Sequence, residues 1–448
     1  MMDETRQREL AMELVWAALG TVNPARAVAR HLRLEGEMLW VGDRTYDLAA
    51  VGRLLVVGAG KAGAGMAAAV EAFLGDRIAE GWVNVRYGYE KLRSVPAPIH
   101  VHPAGHPVPN EAGLQGTSRI LDLVDGLREG DLALVLISGG ASALLVQPVP
   151  GVSLADLQRL TEALLRSGAT IGEVNTVRKH LSQVKGGRLA QRITQRGAQA
   201  AVLVLSDVVG NPLDVIGSGP CAPDPTTFAN AREVLVLYGL WEEAPPSTRE
   251  HLERGLRGEV EETPKPGDPL FGRVHHTLVA DNRVAALAAV ERAQALGLHA
   301  LLLTTYLEGE AREVGRALAA LAKEEIRHDH PLPRPACLVL GGETTVTVRG
   351  AGKGGRNQEV ALGAALSLDG WRDVMVVTLA TDGTDGPTDA AGAIATGRTV
   401  ARARRLGLDP SDHLARNDAY PLFAALGDLI LTGPTGTNVN DLTFVLAF

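Results

Sequence analysis

The stretch LLVVGAGKAGAGM, at residues 54 to 66, joins an apolar run to a glycine-rich turn that contains Lys61. Gly58, Gly60 and Gly63 match the G-x-G-x-x-G spacing with which a strand, a turn and a helix hold a dinucleotide. A lysine at the start of the helix would instead add an ammonium group where backbone amides already favour anions. The turn therefore predicts either a nicotinamide site or a site for another phosphate or carboxylate.

A second glycine turn, SGGASALL at residues 138 to 145, also follows an apolar strand pattern and precedes a short helical one. Small residues let the backbone approach phosphate oxygens closely, and hydroxyl groups add donors. We expect Ser138, Gly139, Gly140 and Ser142 to contact a nucleotide. No G-x-x-x-x-G-K-[ST] motif occurs in the sequence, so this is not a Walker A loop.

Two acidic loops follow apolar strand patterns. SDVVGNPLDVIGSGP contains Asp207 and Asp214, and TDGTDGPTDAAGA contains Asp382, Asp385 and Asp389. Carboxylates at strand ends can hold Mg²⁺ through oxygen ligands or accept the proton of a substrate hydroxyl. Each aspartate taken alone could equally be a solvated turn residue.

The loop GGETTVTVRGAGKGGRNQE, at residues 341 to 359, is rich in both glycine and charge. Glu343 follows an apolar strand pattern, and Lys353 and Arg356 precede a helical one. An arginine and a lysine in a glycine-rich loop before a helix are typical of a site for anions.

The elements that must position these residues alternate between strand and helix along the chain. Such alternation, with 46% hydrophobic and only 4% aromatic residues, predicts an α/β fold with parallel strands. A length of 448 residues predicts more than one hydrophobic core. The segment near residue 250 is rich in proline and acidic residues, which is typical of a linker. We therefore predict an N-terminal domain at 1–240, a linker at 241–270 and a C-terminal domain at 271–448.

Composition also excludes some classes of function. A net charge of -8 provides no basic surface for nucleic acid, and no apolar run is long enough to span a membrane. Cys221 and Cys337 form neither a metal-binding spacing nor a disulfide framework. We therefore expect a cytoplasmic protein that has small-molecule partners.

Eight motifs in order along the chain resemble the class II glycerate kinases of the MOFRL type. They are GAGKAG, HPVPNEAG, SGGASALL, NTVRKHLSQVKGGRLA, SDVVGNPLDVIGSGP, GGETTVTVRGAGKGGRNQE, ATDGTDGPTDAAGA and TGPTGTNVNDL. The resemblance implies phosphorylation of D-glycerate by ATP with Mg²⁺, giving 2-phosphoglycerate and ADP. It also implies a Rossmann-like N-terminal domain, a smaller α/β MOFRL domain with a cleft between the two, and a monomer or homodimer.

The resemblance suggests roles for individual residues. Lys61 corresponds to the family's proposed catalytic lysine and Arg356 to its cleft arginine, while Asp207 is a candidate base or metal ligand. Asn211 stands where the family pattern commonly has aspartate, so Asp207 is the one candidate taken from that loop. The remaining candidates are nucleotide contacts at Ser138, Gly139, Gly140, Ser142, Lys185, Glu343 and Asp382, and a second metal ligand at Asp385.

Phosphoryl transfer depends mainly on positioning and charge neutralisation. We assign Lys61 to the transferring phosphoryl group and Arg356 to the substrate carboxylate. One alternative is an NAD(P)H-dependent hydroxypyruvate reductase, for which the first turn has a suitable spacing but Glu90 is a poor match to the acidic partner expected about 20 residues further on. The others are phosphorylation at the 3-hydroxyl and a non-catalytic sensor of sugar acids or nucleotides.

Overall fold

The computed structural model describes residues 3–89 and 98–448, and its contacts divide the chain into two compact units. The larger unit is Pro24–Val279, and the smaller unit combines the residues up to Asn23 with Ala280–Phe448. Both units contain helices and a six-stranded sheet, which confirms the predicted α/β class.

The larger unit begins with a short helix, a three-stranded antiparallel meander and the first strand of the main sheet. Its strands are β1 (Leu32–Glu35), β2 (Met38–Val41), β3 (Arg44–Asp47), β4 (Leu54–Ala59), β5 (Ile78–Arg86), β6 (Ile99–Ala104), β7 (Leu132–Ser138), β8 (Gln199–Leu205) and β9 (Val274–Ala280). Its helices are α2 (Pro24–Ala29), α3 (Gly63–Leu74), α4 (Glu111–Asp125), α5 (Ala141–Leu144), α6 (Leu154–Arg166), α7 (Ile171–His180), α8 (Arg188–Gln195), α9 (Phe228–Leu237) and α10 (Pro246–Leu256).

The main sheet of this unit has the order β6-β5-β4-β7-β8-β9, and β4 to β8 run parallel. From β4 the chain first adds β5 and β6 on one side and then crosses to add β7 and β8 on the other. The topological switch point therefore lies between β4 and β7. In open parallel sheets, ligands bind at the carboxyl ends of the strands at this point.

Local sequence explains why these elements form where they do. Every residue of β4 and β7 is buried, as expected for central parallel strands covered on both faces. Helices α6 and α7 both begin with a capping box, in which the side chains at the N-cap and the third helical position bond each other's backbone amides. Gly186 and Gly187 have positive φ angles and lie directly before α8, in the segment that joins it to α7.

The smaller unit has a mixed sheet of order β10-β11-β15-β12-β13-β14. Its strands are β10 (His299–Leu307), β11 (Ala336–Gly342), β12 (Val374–Ala380), β13 (Gly392–Thr396), β14 (Leu429–Ile430) and β15 (Asp441–Ala447). Its helices are α1 (Glu4–Thr21), α11 (Asn282–Ala295), α12 (Ala311–His328), α13 (Arg356–Ser367), α14 (Thr399–Arg405), α15 (Pro410–Ala415) and α16 (Ala419–Leu426). Helix α1 joins this unit because its apolar face packs against α11.

The contact-based division differs from the predicted domain boundaries. The segment 241–270, predicted as a linker, lies inside the larger unit, where α10 packs against α9 and buries Leu252. The alternating segment TTVTVRG predicts a further strand, which the structure does not contain. Residues 344–350 make a single bridge, between Thr345 and Glu310, and other amides of this segment donate to the side chains of Glu310 and Asn417. Within the described part of the chain, no helix is long and apolar enough to cross a membrane.

Candidate active site

The Lys61 turn lies at the carboxyl end of β4, and its backbone amides are bonded within the protein. The amide of Lys61 donates to the carbonyl of Gly139 at 2.8 Å, and the amide of Ala62 donates to Ser138 Oγ at 3.1 Å. The amides of Gly60 and Gly63 donate to Asn84 and Gly60 carbonyls. A dinucleotide turn would need such amides for a pyrophosphate, so this arrangement opposes the nicotinamide alternative.

These bonds also tie the Lys61 turn to the second glycine turn, which follows β7. Gly60 has a φ of +142°, and a β-carbon there would lie 2.6 Å from the carbonyl oxygen of Ser138. Only glycine allows so close an approach of the two strand ends. Ser138 itself is 1% exposed and its hydroxyl accepts the amide of Ala62, which favours support of the first turn over the nucleotide contact predicted for it.

Gly139 and Gly140 make room for charged and polar side chains from the neighbouring strand ends. A β-carbon on Gly139 would lie 2.5 Å from Cγ of Asp207, and one on Gly140 would lie 3.0 Å from the His106 ring and 3.3 Å from Cγ of Lys61. Lys61, His106 and Asp207 therefore surround the second turn at the switch point. The structure brings together these two predicted residues, Lys61 and Asp207, in one unit.

His106 is a member of this cluster that the sequence did not single out. It follows β6, and its Nδ1 is buried without a hydrogen-bond partner among the described residues. Burial, together with the nearby positive charges of Lys61 and Arg86, lowers the pKa of His106 to about 4. The imidazole is thus neutral at physiological pH. The sequence feature that could have identified His106 is its position as the first residue of the HPVPNEAG motif.

Ser142 and Lys185 lie beneath the second turn. The ammonium of Lys185 donates to the carbonyls of Ser142 and Leu145, both at 2.7 Å, and the residue is 1% exposed. Burial, aided by the charge of Arg178, holds the pKa of Lys185 well below its usual range. Lys185 therefore fixes the backbone of the turn, and its contacts do not support the direct nucleotide contact predicted for it.

In the smaller unit, three strand ends meet at Asp441. Asp441 begins β15 and pairs in register with Gly342 at the end of β11 and with Ala380 at the end of β12. Because β15 runs antiparallel to both neighbours, its first residue lies at the same sheet edge as their last residues. The loops that carry Glu343 and Asp382 leave from this edge.

Arg356 begins α13 and binds two carboxylates at this edge. Its guanidinium donates to Asp441 at 2.6 and 3.1 Å and to Glu343 at 2.6 Å. Burial raises the pKa of Asp441 to about 6 against the attraction of Arg356, so the carboxylate is ionised at neutral pH. The carboxylate-binding fork predicted for a substrate is thus already occupied by protein carboxylates.

Asp385 and Asp382 both accept backbone amides within the smaller unit. The carboxylate of Asp385 accepts the amides of Asn357 and Gln358 at 3.1 and 2.9 Å, so it caps the first turn of α13, and the residue is 2% exposed. Burial raises the pKa of Asp385, which also disfavours its charged form. Asp382 accepts the amide of Thr384 at 3.0 Å. The arrangement at Asp385 favours helix capping over the predicted metal ligation.

Asn211 and Lys353 belong to two of the loops in which ligand contacts are predicted. Asn211 has a φ of +55°, a left-handed conformation that asparagine tolerates and β-branched residues do not. The ammonium of Lys353 lies 4.2 Å from the centre of the Tyr420 ring, a cation–π contact on an exposed surface. Glu90, the weak acidic partner of the dinucleotide alternative, lies outside the described residues.

The fit of Mg²⁺ can be tested on the acidic residues. Among residues 3–89 and 98–448, no group of three or more His, Cys, Asp or Glu side chains could hold a metal ion. Mg²⁺ in nucleotide sites is commonly held by one or two carboxylates and the substrate phosphates, not by a protein cage. Asp207, which packs against Gly139 of the second turn, stays a predicted ligand of this kind.

A groove of about 530 Å³ also lies on the larger unit, but it shares no lining residue with the two glycine turns. Its lining includes Arg192 and Arg196, whose guanidinium groups bind Asp125 at 2.6 and 3.1 Å. One carboxylate shared by two arginines, with Arg188 also in the lining, leaves the groove positively charged, but because it is separate from both glycine turns we do not assign it to the site.

The parallel sheet with its helices and its switch point defines an α/β protein of the doubly wound class. Residues 10–253 match the domain of unknown function DUF4147, and residues 336–441 match the MOFRL family. The chain is 43% identical to a glycerate 2-kinase of Pyrococcus horikoshii, over 98% of this chain and 97% of that protein. It is 44% identical to a D-glycerate 2-kinase of Thermotoga maritima, with 99% of each chain covered.

Solved structures agree with these relatives. A crystal structure of glycerate kinase from Thermotoga maritima matches with a TM-score of 0.87 and 42% identity, covering 99% of this chain and all of that one. A putative hydroxypyruvate reductase of Agrobacterium vitis is 44% identical over 88% of this chain and 87% of its own length. The chain belongs to the MOFRL-type glycerate kinase family.

Proposed function

We propose that this protein phosphorylates D-glycerate with ATP, at the 2-hydroxyl, giving 2-phosphoglycerate and ADP. The observation that carries the proposal is the switch point of the larger sheet, where Lys61 and Asp207 both pack against a glycine turn of the kind that binds phosphate oxygens through its backbone. The kinase names of relatives 43–44% identical over nearly the whole chain support the same reaction.

In this proposal the ammonium of Lys61 neutralises charge on the transferring phosphoryl group. Asp207 packs against Gly139 of the same turn. It accepts the proton of the substrate hydroxyl or contributes one ligand to Mg²⁺. Mg²⁺, when bound with the nucleotide, neutralises phosphate charge. The neutral imidazole of His106 offers a hydrogen bond beside Lys61.

The amides of the second turn support its role as the phosphate-binding turn. Those of Ala141 and Ser142 begin α5, where first-turn amides have no partner within a helix, and the described residues give them no backbone acceptor. By contrast, the backbone amides of the Lys61 turn already donate hydrogen bonds to acceptors within the protein. Roles for Glu343, Asp382 and Arg356 toward the nucleotide or the substrate remain predictions, as does a cytoplasmic location.

The reductase alternative has a specific observation against it, namely the bonded amides of the Lys61 turn. The purified protein should release ADP from ATP and D-glycerate and should not oxidise NADH with hydroxypyruvate. Phosphorus NMR of the product distinguishes 2- from 3-phosphoglycerate. Oxidation of NADH without release of ADP would overturn the proposal, and omission of Mg²⁺ from the same assay tests the metal requirement.

A further inference from the structure

Arg178 of α7 is a partly buried cation that has no acidic partner among the described residues. Its Nη1 donates to Ser142 Oγ at 3.3 Å, and no carboxylate of the described residues lies within 4.0 Å of its guanidinium group. Burial lowers the pKa of Arg178. A buried charge is normally paired, because removing an ion from water is costly without a compensating partner.

The neighbouring cations of the same unit show how unusual this is. Lys179, the next residue, binds the carboxylates of Asp214 and Asp224 at 3.2 and 3.3 Å. Arg192 of α8 binds Asp125 through two nitrogens at 2.7 and 2.6 Å. Carboxylates are thus available to other cations of this unit. Arg178 differs from these neighbours in that it binds none among the described residues.

A second basic side chain bonds the same serine and also lacks an acidic partner among the described residues. The Nζ of Lys185 donates to the backbone carbonyls of Ser142 and Leu145, and the charge of Arg178 helps to lower the pKa of Lys185. Two basic side chains thus converge on Ser142, and neither neutralises the guanidinium of Arg178. An anion bound beside Arg178 would do so.

The hydroxyl groups around Arg178 form a directed chain. Ser218 Oγ donates to Asn175 Oδ1 at 3.0 Å, so its single proton is used, and Ser142 must donate across the 2.6 Å contact to Ser218. Ser142 in turn accepts from Arg178. This chain fixes one edge of the guanidinium and leaves its other donors for a ligand.

We propose that Arg178 binds an oxyanion of a substrate beside the Ser142 turn. The inference rests on the proposed kinase reaction, which supplies two such groups, the carboxylate of glycerate and the phosphates of ATP. A planar guanidinium suits both. Arg178 would also be a partner for the substrate carboxylate. Arg356 suits that role less well, because its guanidinium already binds Glu343 and Asp441.

The test compares Arg178→Ala and Arg178→Lys with a matched control, Arg192→Ala, whose guanidinium has a carboxylate partner. We expect a 10- to 100-fold rise in KM for one substrate, with the control near wild type. A rise for D-glycerate identifies the carboxylate, and a rise for ATP identifies a phosphate. Millimolar guanidinium chloride should partly restore Arg178→Ala.

Calorimetric titration with D-glycerate and with ADP separates this inference from the proposed function. If the wild-type protein binds one of them, the loss of that binding in Arg178→Ala supports the site even without turnover. Wild-type protein that shows no phosphorylation would defeat the proposed function alone. Folded Arg178→Ala with unchanged KM and unchanged binding of both ligands would overturn the inference, and Arg178→Lys provides the same test if the alanine variant does not fold.

Discussion

Gly139→Ala offers a direct steric test of the position of Asp207. The backbone of Gly139 is outside the left-handed region, so alanine adds no backbone strain. Its β-carbon would lie 2.5 Å from Cγ of Asp207, whereas ordinary contact begins at 3.4 Å. Oδ2 of Asp207 would lie nearer still, so the carboxylate group must withdraw by at least about 0.9 Å.

A displacement of this size has a large expected effect on the reaction and a small one on the fold. A shift of about 1 Å in a reacting group can cost about 10²-fold in rate. Rotation of the half-buried Asp207 side chain relieves most of the clash, so the free energy of unfolding should fall by about 1–3 kcal/mol at most. The assay is ADP release with saturating ATP and glycerate, together with a thermal melt.

Two controls make this test specific. Gly172→Ala places a β-carbon no closer than 4.0 Å to Thr170 and should leave kcat unchanged. In an Asp207→Ala background, Gly139→Ala should have little further effect on kcat, because the two changes act through one group. Wild-type kcat in folded Gly139→Ala would refute the assignment of Asp207 to the reaction.

Three further predictions concern charges. Lys61→Ala should lower kcat by about 10²- to 10³-fold with a smaller change in KM for ATP, as measured by ADP release, whereas Lys323→Ala, on α12, should not. Arg356→Met should destabilise the protein by about 3–5 kcal/mol in chemical denaturation, because it leaves the buried carboxylate of Asp441 unpaired; stability within 1 kcal/mol of wild type would contradict this. The pKa of His106 is lowered in the folded state, so the unfolded chain takes up this proton first and the folded protein loses stability as pH falls from about 6.5 towards 4. The melting temperature should therefore drop less between pH 7 and pH 5 in His106→Gln than in wild type. An equal drop in both proteins would show that His106 does not titrate as described.

The local pattern of the sequence predicted the parallel sheet and its two glycine turns. Apolar runs that end in glycine identify β4 and β7, because buried parallel strands lack polar residues. Strand β6, with the sequence IHVHPA, was missed because histidines and a proline interrupt its apolar pattern. The two turns were recognised as chemical sites, but their hydrogen bonds to each other join residues more than 70 positions apart.

The individual roles of charged residues were harder to predict, because burial and pairing are set by distant parts of the chain. Asp385 is bound by amides 27 and 28 residues before it, and Arg356 by a carboxylate 85 residues after it. Lys185 resembles a surface lysine in the sequence, yet it is buried beneath a turn about 40 residues away. Nothing in the residues flanking these positions distinguishes a ligand contact from a structural one.

The packing of α1 against α11 has a consequence for synthesis of the chain on the ribosome. Helix α1 is made first, but the helix that covers its apolar face is completed about 270 residues later. At roughly 5–20 residues per second, that face has no native partner for about 14–55 s. Leu10, Leu14 and Val15 are fully or almost fully buried in the finished protein, so the nascent chain carries an apolar segment that a chaperone could bind during this interval.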